Sequence, residues 1–262
     1  MRRIKVTPYQ TLDYFESPSE FARLAGPMRI RISDDDWRGG SWSDSIRYCT
    51  QGDVSRVAQA ERMIESLTVQ IESPVTHWQA APAGAFPIVP DYLAGRPDCM
   101  RRKVQDASSA APIRVFLETG VSAGINVDRV VDRGIAFLAL AMSLSRVRPV
   151  ELFACNFWRK DSKEDKRIAG VVIPINAAPL DIALACGVLT QPSVTRGLMY
   201  SYLAEEHRSN HRGFGVWDHE TARKMLRCAP SDIYVPPLRL GDALLADPVA
   251  FINAALGRIE GA

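Results

Sequence analysis

Between residues 112 and 175 the chain carries a pattern that leaves few folds open. Residues 113–117 form a short apolar run of the kind a buried strand needs, and a loop holding Gly120, Ser122 and Gly124 follows it. Residues 127–147 are long enough and rich enough in Ala and Leu to form a helix, which Pro149 stops because proline has no N–H to donate. Two more strand-like runs lie at 150–157 and 168–175, joined by the charged loop 159–167 in a plausible β-hairpin. Further on, helices are predicted over 180–185, 193–206, 220–226 and 248–258, with a short strand over 233–235. The order β-loop-α-β-β-α-α-β-α predicts an α/β class: a layered sheet with helices on both faces over residues 112–262.

Two other regions precede this core. Residues 1–72 read as a small α+β region. Residues 3–7 alternate like a strand, Ser17-Pro18-Ser19-Glu20 opens a helix through Leu24, and Ser43 caps a helix that Gly52 closes. A further helix over 54–69 carries Val57, Ala60, Ile64 and Leu67 at helical spacing. Between these helices, Gly39 and Gly40 permit positive φ in a loop that Trp37 and Trp42 anchor. Residues 73–111 read differently, as an irregular Pro-rich excursion: Pro74, Pro82, Pro87, Pro90 and Pro97 fall there and periodicity disappears.

Composition removes several function classes. No apolar stretch approaches the roughly 20 residues of a membrane span, and the longest, around residues 135–142, is flanked by Arg133 and Arg146. The start of the chain lacks the apolar core and cleavage site of a secretory signal, so the expectation is an intracellular, cytoplasmic protein. Five cysteines (Cys49, Cys99, Cys155, Cys186, Cys228) without a C-x-x-C pair argue for reduced, mostly buried thiols rather than zinc or a disulfide framework. There is no G-x-S-x-G, no Walker loop and no G-x-G-x-x-G, which disfavours a conventional enzyme, and no cofactor is expected. Formal net charge is only +2, so a nucleic-acid role would have to rest on local clusters. The basic residues are strongly biased to Arg, whose planar fork suits phosphates and base faces; a GC-rich genome explains the same bias.

The most coherent local cluster lies in the Pro-rich excursion. Trp78, Phe86 and Tyr92 interleave with Arg96, Arg101, Arg102 and Lys103, and aromatics interleaved with cations suit single-stranded nucleic acid. In this reading Arg96, Arg101, Arg102 and Lys103 engage phosphates while Trp78 and Tyr92 stack on bases; the plainer reading is a core plug beside a solvated basic run. Two cationic sets compete for the role: Arg2, Arg3 and Lys5, and the hairpin loop with Arg159, Lys160, Lys163, Lys166 and Arg167. Self-association is expected, because repeated weak sites add avidity along a strand.

Two metal motifs are weaker. His207 and His211 stand at i,i+4 near Glu205 and Glu206, but Arg208 and Arg212 interleave and a solvated polar face is the favoured reading over a metal site. The loop Glu118-Thr119-Gly120-Val121-Ser122 sits where a von Willebrand A-type domain carries D-x-S-x-S. It is degenerate, with Glu118 for the Asp and Gly120 for the first Ser, and no metal is expected. The corresponding alternative function is an A-type protein interaction module whose Glu118 and Ser122 face a partner.

Several blocks carry a family likeness: Trp37-Arg38-Gly39-Gly40-Ser41-Trp42, Ala83-Gly84-Ala85, residues 89–97 (VPDYLAGRP), Cys99-Met100-Arg101-Arg102, Asp132-Arg133-Gly134-Ile135-Ala136 and Arg148-Pro149-Val150-Glu151-Leu152. Over about residues 37–175 the chain resembles a group of phage-encoded proteins. Within it the chain is similar in size and character to the single-stranded-DNA-binding RNA polymerase cofactors of podoviruses that package a virion RNA polymerase. The resemblance implies a protein that binds locally melted promoters and recruits a phage RNA polymerase in the host cytoplasm, with a fold unlike the usual barrels of single-strand binders.

Overall fold

The computed structural model describes residues 1–28, 38–70, 77–104, 112–122, 124–145, 149–159, 167–175, 180–208, 219–239 and 243–260. Its centre is a six-stranded mixed sheet, mostly parallel. The strands are β1 (Arg2–Thr7), β2 (Gln10–Tyr14), β6 (Ile113–Glu118), β7 (Val150–Arg159), β8 (Ile168–Ile175) and β9 (Ile233–Val235), in the order β1-β2-β8-β7-β6-β9. β6 runs parallel to β7 and β9, and β2 runs parallel to β8. β7 and β8 form the antiparallel pair expected of a hairpin, in register from Leu152↔Ile175 to Arg159↔Ile168.

Residues 1–72 are not a separate unit. β2 is hydrogen-bonded along β8, from Gln10↔Ile168 to Tyr14↔Val172, so the first strands complete the sheet of the later ones. Gly170 makes this closure possible: a Cβ there would stand 2.7 Å from both Leu12 and Phe157, its two cross-strand neighbours.

Alternation along each strand divides the core. Ile113, Val115, Leu117, Leu152, Ala154, Trp158, Val171, Ile173 and Val235 face one large apolar cluster, while Leu12, Phe116, Phe157, Val172 and Tyr234 face a smaller one. The helices are shared very unequally between the two. The first face takes α1 (Pro18–Ala25), α2 (Trp42–Gln51), α3 (Val57–Gln70), α5 (Val127–Leu144), α6 (Ile182–Thr190), a π-helical segment (Val194–Met199), α7 (Tyr200–Glu206) and α9 (Pro248–Glu260). On the second face, among the described residues, one short helix, α8 (His219–Met225), supplies Ala222 and Met225, and Leu226 follows it. Helices thus cover both faces, but the sequence did not show the imbalance.

Local chemistry explains the helix starts. Ser17 Oγ accepts from the Glu20 N–H at 3.1 Å and Pro18 follows it. For α2 the cap is Ser41 rather than Ser43: Ser41 Oγ accepts from the Asp44 N–H at 3.1 Å and donates to Asp44 Oδ2 at 2.6 Å. Gly39 and Gly40 both take positive φ ahead of it, and Trp42 Nε1 donates to Gly26 O at 3.0 Å, so the loop is anchored as its Trp suggested. Trp37 lies outside the described residues.

Residues 77–104 are not irregular. They form β3 (His77–Ala81), β4 (Phe86–Pro87), a short helix α4 (Val89–Leu93) and β5 (Met100–Val104), with a three-stranded antiparallel sheet in the order β3-β5-β4. Among the described residues, no helix is long and apolar enough to cross a membrane.

The thiols bear out their expected burial in part. Cys49, Cys155 and Cys186 are buried, and burial pushes Cys49 and Cys186 up to about 12 and Cys155 well above its ordinary value. Cys228 is partly buried and pushed up to about 11. Cys99, half-exposed between α4 and β5, is therefore expected to react first with iodoacetamide at about pH 8. Peptide mass spectrometry at partial labelling checks this, and equal labelling of Cys49 would contradict it.

Candidate nucleic-acid interface

The small sheet is built around its central strand. β5 pairs with β3 through Ala81↔Met100, Ala80↔Arg101, Gln79↔Arg102, Trp78↔Lys103 and His77↔Val104, and with β4 through Phe86↔Arg101 and Pro87↔Met100. Residues directly opposite one another share a face, and so do residues two apart. One face therefore carries Phe86, Arg101 and Ala80 in a row, with the Trp78 and Lys103 positions on the same face one step, about 7 Å, along β5. Arg102 falls on the opposite face with Gln79.

The turn that brings β4 to β5 is tight. Ala85 N–H donates to Arg101 O at 2.9 Å, and a Cβ on Gly84 would stand 2.3 Å from that same carbonyl, so only glycine fits there. After α4, Gly95 takes φ +66 and Arg96 returns to the helix, its N–H on Asp91 O at 2.9 Å and its guanidinium on Asp91 Oδ1 at 3.0 Å. Arg96 is thus tied to this turn by a surface ion pair that leaves its side chain exposed.

Exposure marks the same region. Phe86 is 58% exposed and Tyr92 63%, with Val89 and Leu93 exposed beside them. Among the described side chains of residues 77–104 none is buried, and none joins the apolar clusters of the core. The described side chains of these strands bury no face, and three short strands of that kind have little stability of their own. The reading of these aromatics as a core plug is overturned for Phe86 and Tyr92.

The structure brings Arg101 together with Phe86, whose aromatic character was noticed but whose pairing was not, and with the Trp78 and Lys103 positions. It separates Arg102 by facing it away and Arg96 by pairing it. Tyr92 lies on α4 rather than on the sheet face. The competing cationic sets fare differently. Arg3 is consumed in a buried cluster, Arg2 lies over the Tyr14 ring at 5.9 Å, and residues 160–166 are outside the described part.

That buried cluster is where His207 went. α7 ends at Glu206, and His207 turns so that Nε2 lies 2.8 Å from Asp13 Oδ2. The fully buried Asp13 also accepts from Arg3 Nε at 2.7 Å, Arg3 Nη2 at 2.8 Å and the Tyr202 hydroxyl at 2.8 Å. Desolvation works against its charge, but the hydrogen bonds from His207, Arg3 and Tyr202 together hold the carboxyl at about 2. Tyr202 is aimed there by edge-to-face packing on Phe15 and Phe21, with centroids 5.3 and 5.9 Å away. His207 is thus not part of a solvated face, and His211 lies outside the described residues. Among the described residues no group of three or more His, Cys, Asp or Glu is placed to hold a metal ion.

Glu118 is fully buried too. It accepts from the Tyr234 hydroxyl, and Arg133 donates to its carbonyl at 3.0 Å. A side chain so enclosed cannot face a partner, which removes Glu118 from the interaction surface proposed for this loop; Ser122 remains exposed.

No curated protein and no solved structure matches the chain. One family model does match, over residues 5–257, and on the strength of that nearly complete span the protein belongs to the family described as Domain of unknown function (DUF7192).

Proposed function

We propose that this protein binds single-stranded nucleic acid on the β3-β5-β4 face. The observation that carries the reading is the Phe86–Arg101 cross-strand pair on an exposed sheet, with the Trp78 and Lys103 positions next along the same face. A base stacks on an exposed aromatic ring for about 1–3 kcal/mol, and an adjacent guanidinium holds the phosphate. Recruitment of a phage RNA polymerase to melted promoters is the role that the family likeness adds to this binding.

The test is fluorescence anisotropy of one labelled sequence as single and as double strand, at two salt concentrations. The single strand is expected to bind preferentially, with a log–log salt slope of about −1.4 for two phosphate-directed cations. Phe86→Ala and Arg101→Ala are each expected to weaken binding roughly 5- to 150-fold, while Arg102→Ala, on the far face, changes it little. Equal affinity for both forms, or an unaffected Phe86→Ala, would overturn the reading.

A second reading, an A-type interaction module, draws support from the order β8-β7-β6-β9 with β8 antiparallel to β7, and from the 119–126 loop at the carboxyl end of β6. Partner binding on that reading would depend on Ser122 and would survive loss of Phe86.

A further inference from the structure

A cavity of about 310 Å³ opens beside β9, the last strand of the large sheet. His219 and Arg223 of α8, Ser231 just before β9, Ile233 and Tyr234 of β9 and Ala255 of α9 line it. We propose that this cavity binds a small monocarboxylic acid with an apolar or aromatic body, its carboxylate held by Arg223. The site lies on the large sheet and is argued without the strand-binding face.

The turn that leads into β9 holds the Arg223 guanidinium in place. Nη1 donates to Asp232 O at 3.1 Å and Nη2 to Ala229 O at 3.2 Å. Backbone carbonyls carry no formal charge, so these bonds orient the fork without neutralising it, and they take only part of its donor set. The acids at hand are committed elsewhere. Asp232 Oδ1 accepts from the Arg114 N–H at 3.1 Å, and Oδ2 accepts from the Ala229 N–H at 2.6 Å and from the Arg114 guanidinium. Glu220, on the same helix as Arg223, pairs with Lys224 at 2.7 Å. Among the described residues no carboxylate forms an ion pair with Arg223. Arg114, Asp232 and Arg223 together therefore keep a net positive charge, and it is Arg223 that lines the cavity.

The rest of the wall is apolar. The Tyr234 hydroxyl donates to the buried Glu118, so the polar tip of that residue is occupied and its ring is what the cavity meets. His219 sits one helical turn before Arg223, on the same side of α8, and its ring stands edge-on to Tyr234 with centroids 6.1 Å apart. Ile233 and Ala255 add aliphatic surface. A planar fork matches a carboxylate through paired N–H bonds, and rings and aliphatic groups beside it match a hydrocarbon body. A phosphate monoester, with up to two charges, calls for a second cation, and among the described residues the lining carries none beside Arg223. The volume stands at the lower end of small-molecule sites, which begin near roughly 300 Å³, a size suited to one ring on a short acid chain.

The test is calorimetric titration of the full chain with phenylpropionate, beside two controls. Phenylpropanol keeps the body and loses the charge, and acetate keeps the charge and loses the body. Phenylpropionate is expected to bind at a single saturable site, roughly tenfold or more tighter than either control. Arg223→Gln should erase the preference for acid over alcohol while the alcohol still binds. A protein that had merely lost its fold would lose both ligands alike, so the ratio separates a missing charge from a missing structure. His219→Ala, which leaves both carbonyl bonds of Arg223 in place, should fold normally and weaken acid and alcohol together by several-fold. Absence of saturable binding, an acid preference that survives Arg223→Gln, or acetate bound as tightly as phenylpropionate would overturn the proposal. Phe86→Ala should leave all three affinities unchanged, so a failure of strand binding and a failure of this site are read apart.

Discussion

Replacing Gly52 with alanine is expected to destabilise the native fold severely. Gly52 closes α2 at φ +78, and a Cβ built there stands 2.3 Å from the Ala183 carbonyl carbon and 2.4 Å from its oxygen, at the start of α6. Across the same crossing, a Cβ on Gly187 would lie 2.3 Å from Tyr48 O and 2.9 Å from Gly52 Cα. The two helices meet backbone on backbone, so no side chain can rotate away to make room. The Asp53 N–H bond to Ala183 O, 2.7 Å long, sits in this contact and would break as the helices part. Overpacking costs about 1–3 kcal/mol, a left-handed alanine about 1–2 and the lost bond about 1. Their sum reaches the lower end of the stability of a typical domain, about 5–15 kcal/mol. Urea denaturation followed by circular dichroism measures it. A Gly52→Ala protein that unfolds with nearly unchanged stability would show that the crossing is looser than described, and Gly187→Ala should behave alike.

Asp13→Ala is expected to be almost as damaging, for an electrostatic reason. Removing the carboxylate leaves the buried Tyr202 hydroxyl and the His207 ring without their acceptor, a loss of about 1–3 kcal/mol for each buried group left unpaired, while the exposed Arg3 keeps Glu206. The same residue governs acid stability. The folded carboxyl titrates at about 2, against roughly 3.9 in an unfolded chain. The folded form therefore gains stability that is fully present above about pH 4 and disappears as pH falls towards 2, about 2.5 kcal/mol in all. Melting curves between pH 6 and 2 should show this acid loss in the native protein. Asp13→Ala should start lower and lack that component. A mutant whose acid profile parallels the native one would rule Asp13 out as the group responsible.

Much of the fold was legible because it is written locally. The strands at 113–118, 150–159, 168–175 and 233–235 and the long helix after Asn126 follow from apolar runs, helical spacing and Pro149. β2 escaped because a buried Asp13 interrupts its pattern, and that Asp is tolerable only through Arg3, Tyr202 and His207, the last of them 194 residues away. The small sheet escaped because β4 is two residues long and contains Pro87, and its register with β5 belongs to the pairing, not to either strand. That register is what joins Phe86 to Arg101, while the pleat of β5 parts Arg101 from Arg102, neighbours that a list of basic residues treats alike. The Ser41 cap was readable in principle, since Ser41 and Asp44 have the three-residue spacing of a reciprocal cap, whereas the Arg96–Asp91 pair depends on the turn at Gly95.

The parallel contact of β2 with β8 also dictates an order of events as the chain is made. β2 ends at Tyr14 and its partner begins at Ile168, so roughly 150 residues must follow β2 out of the ribosome before the two can meet. At about 5–20 residues per second that is a wait on the order of ten seconds or more. Throughout it the β1–β2 hairpin, marginal by itself, presents an open edge to every other nascent chain nearby. Protein made in cells lacking the ribosome-bound chaperone should therefore aggregate through this hairpin, and delaying its exposure by slower initiation would not help, because the gap is fixed by the topology rather than by the rate at which synthesis begins.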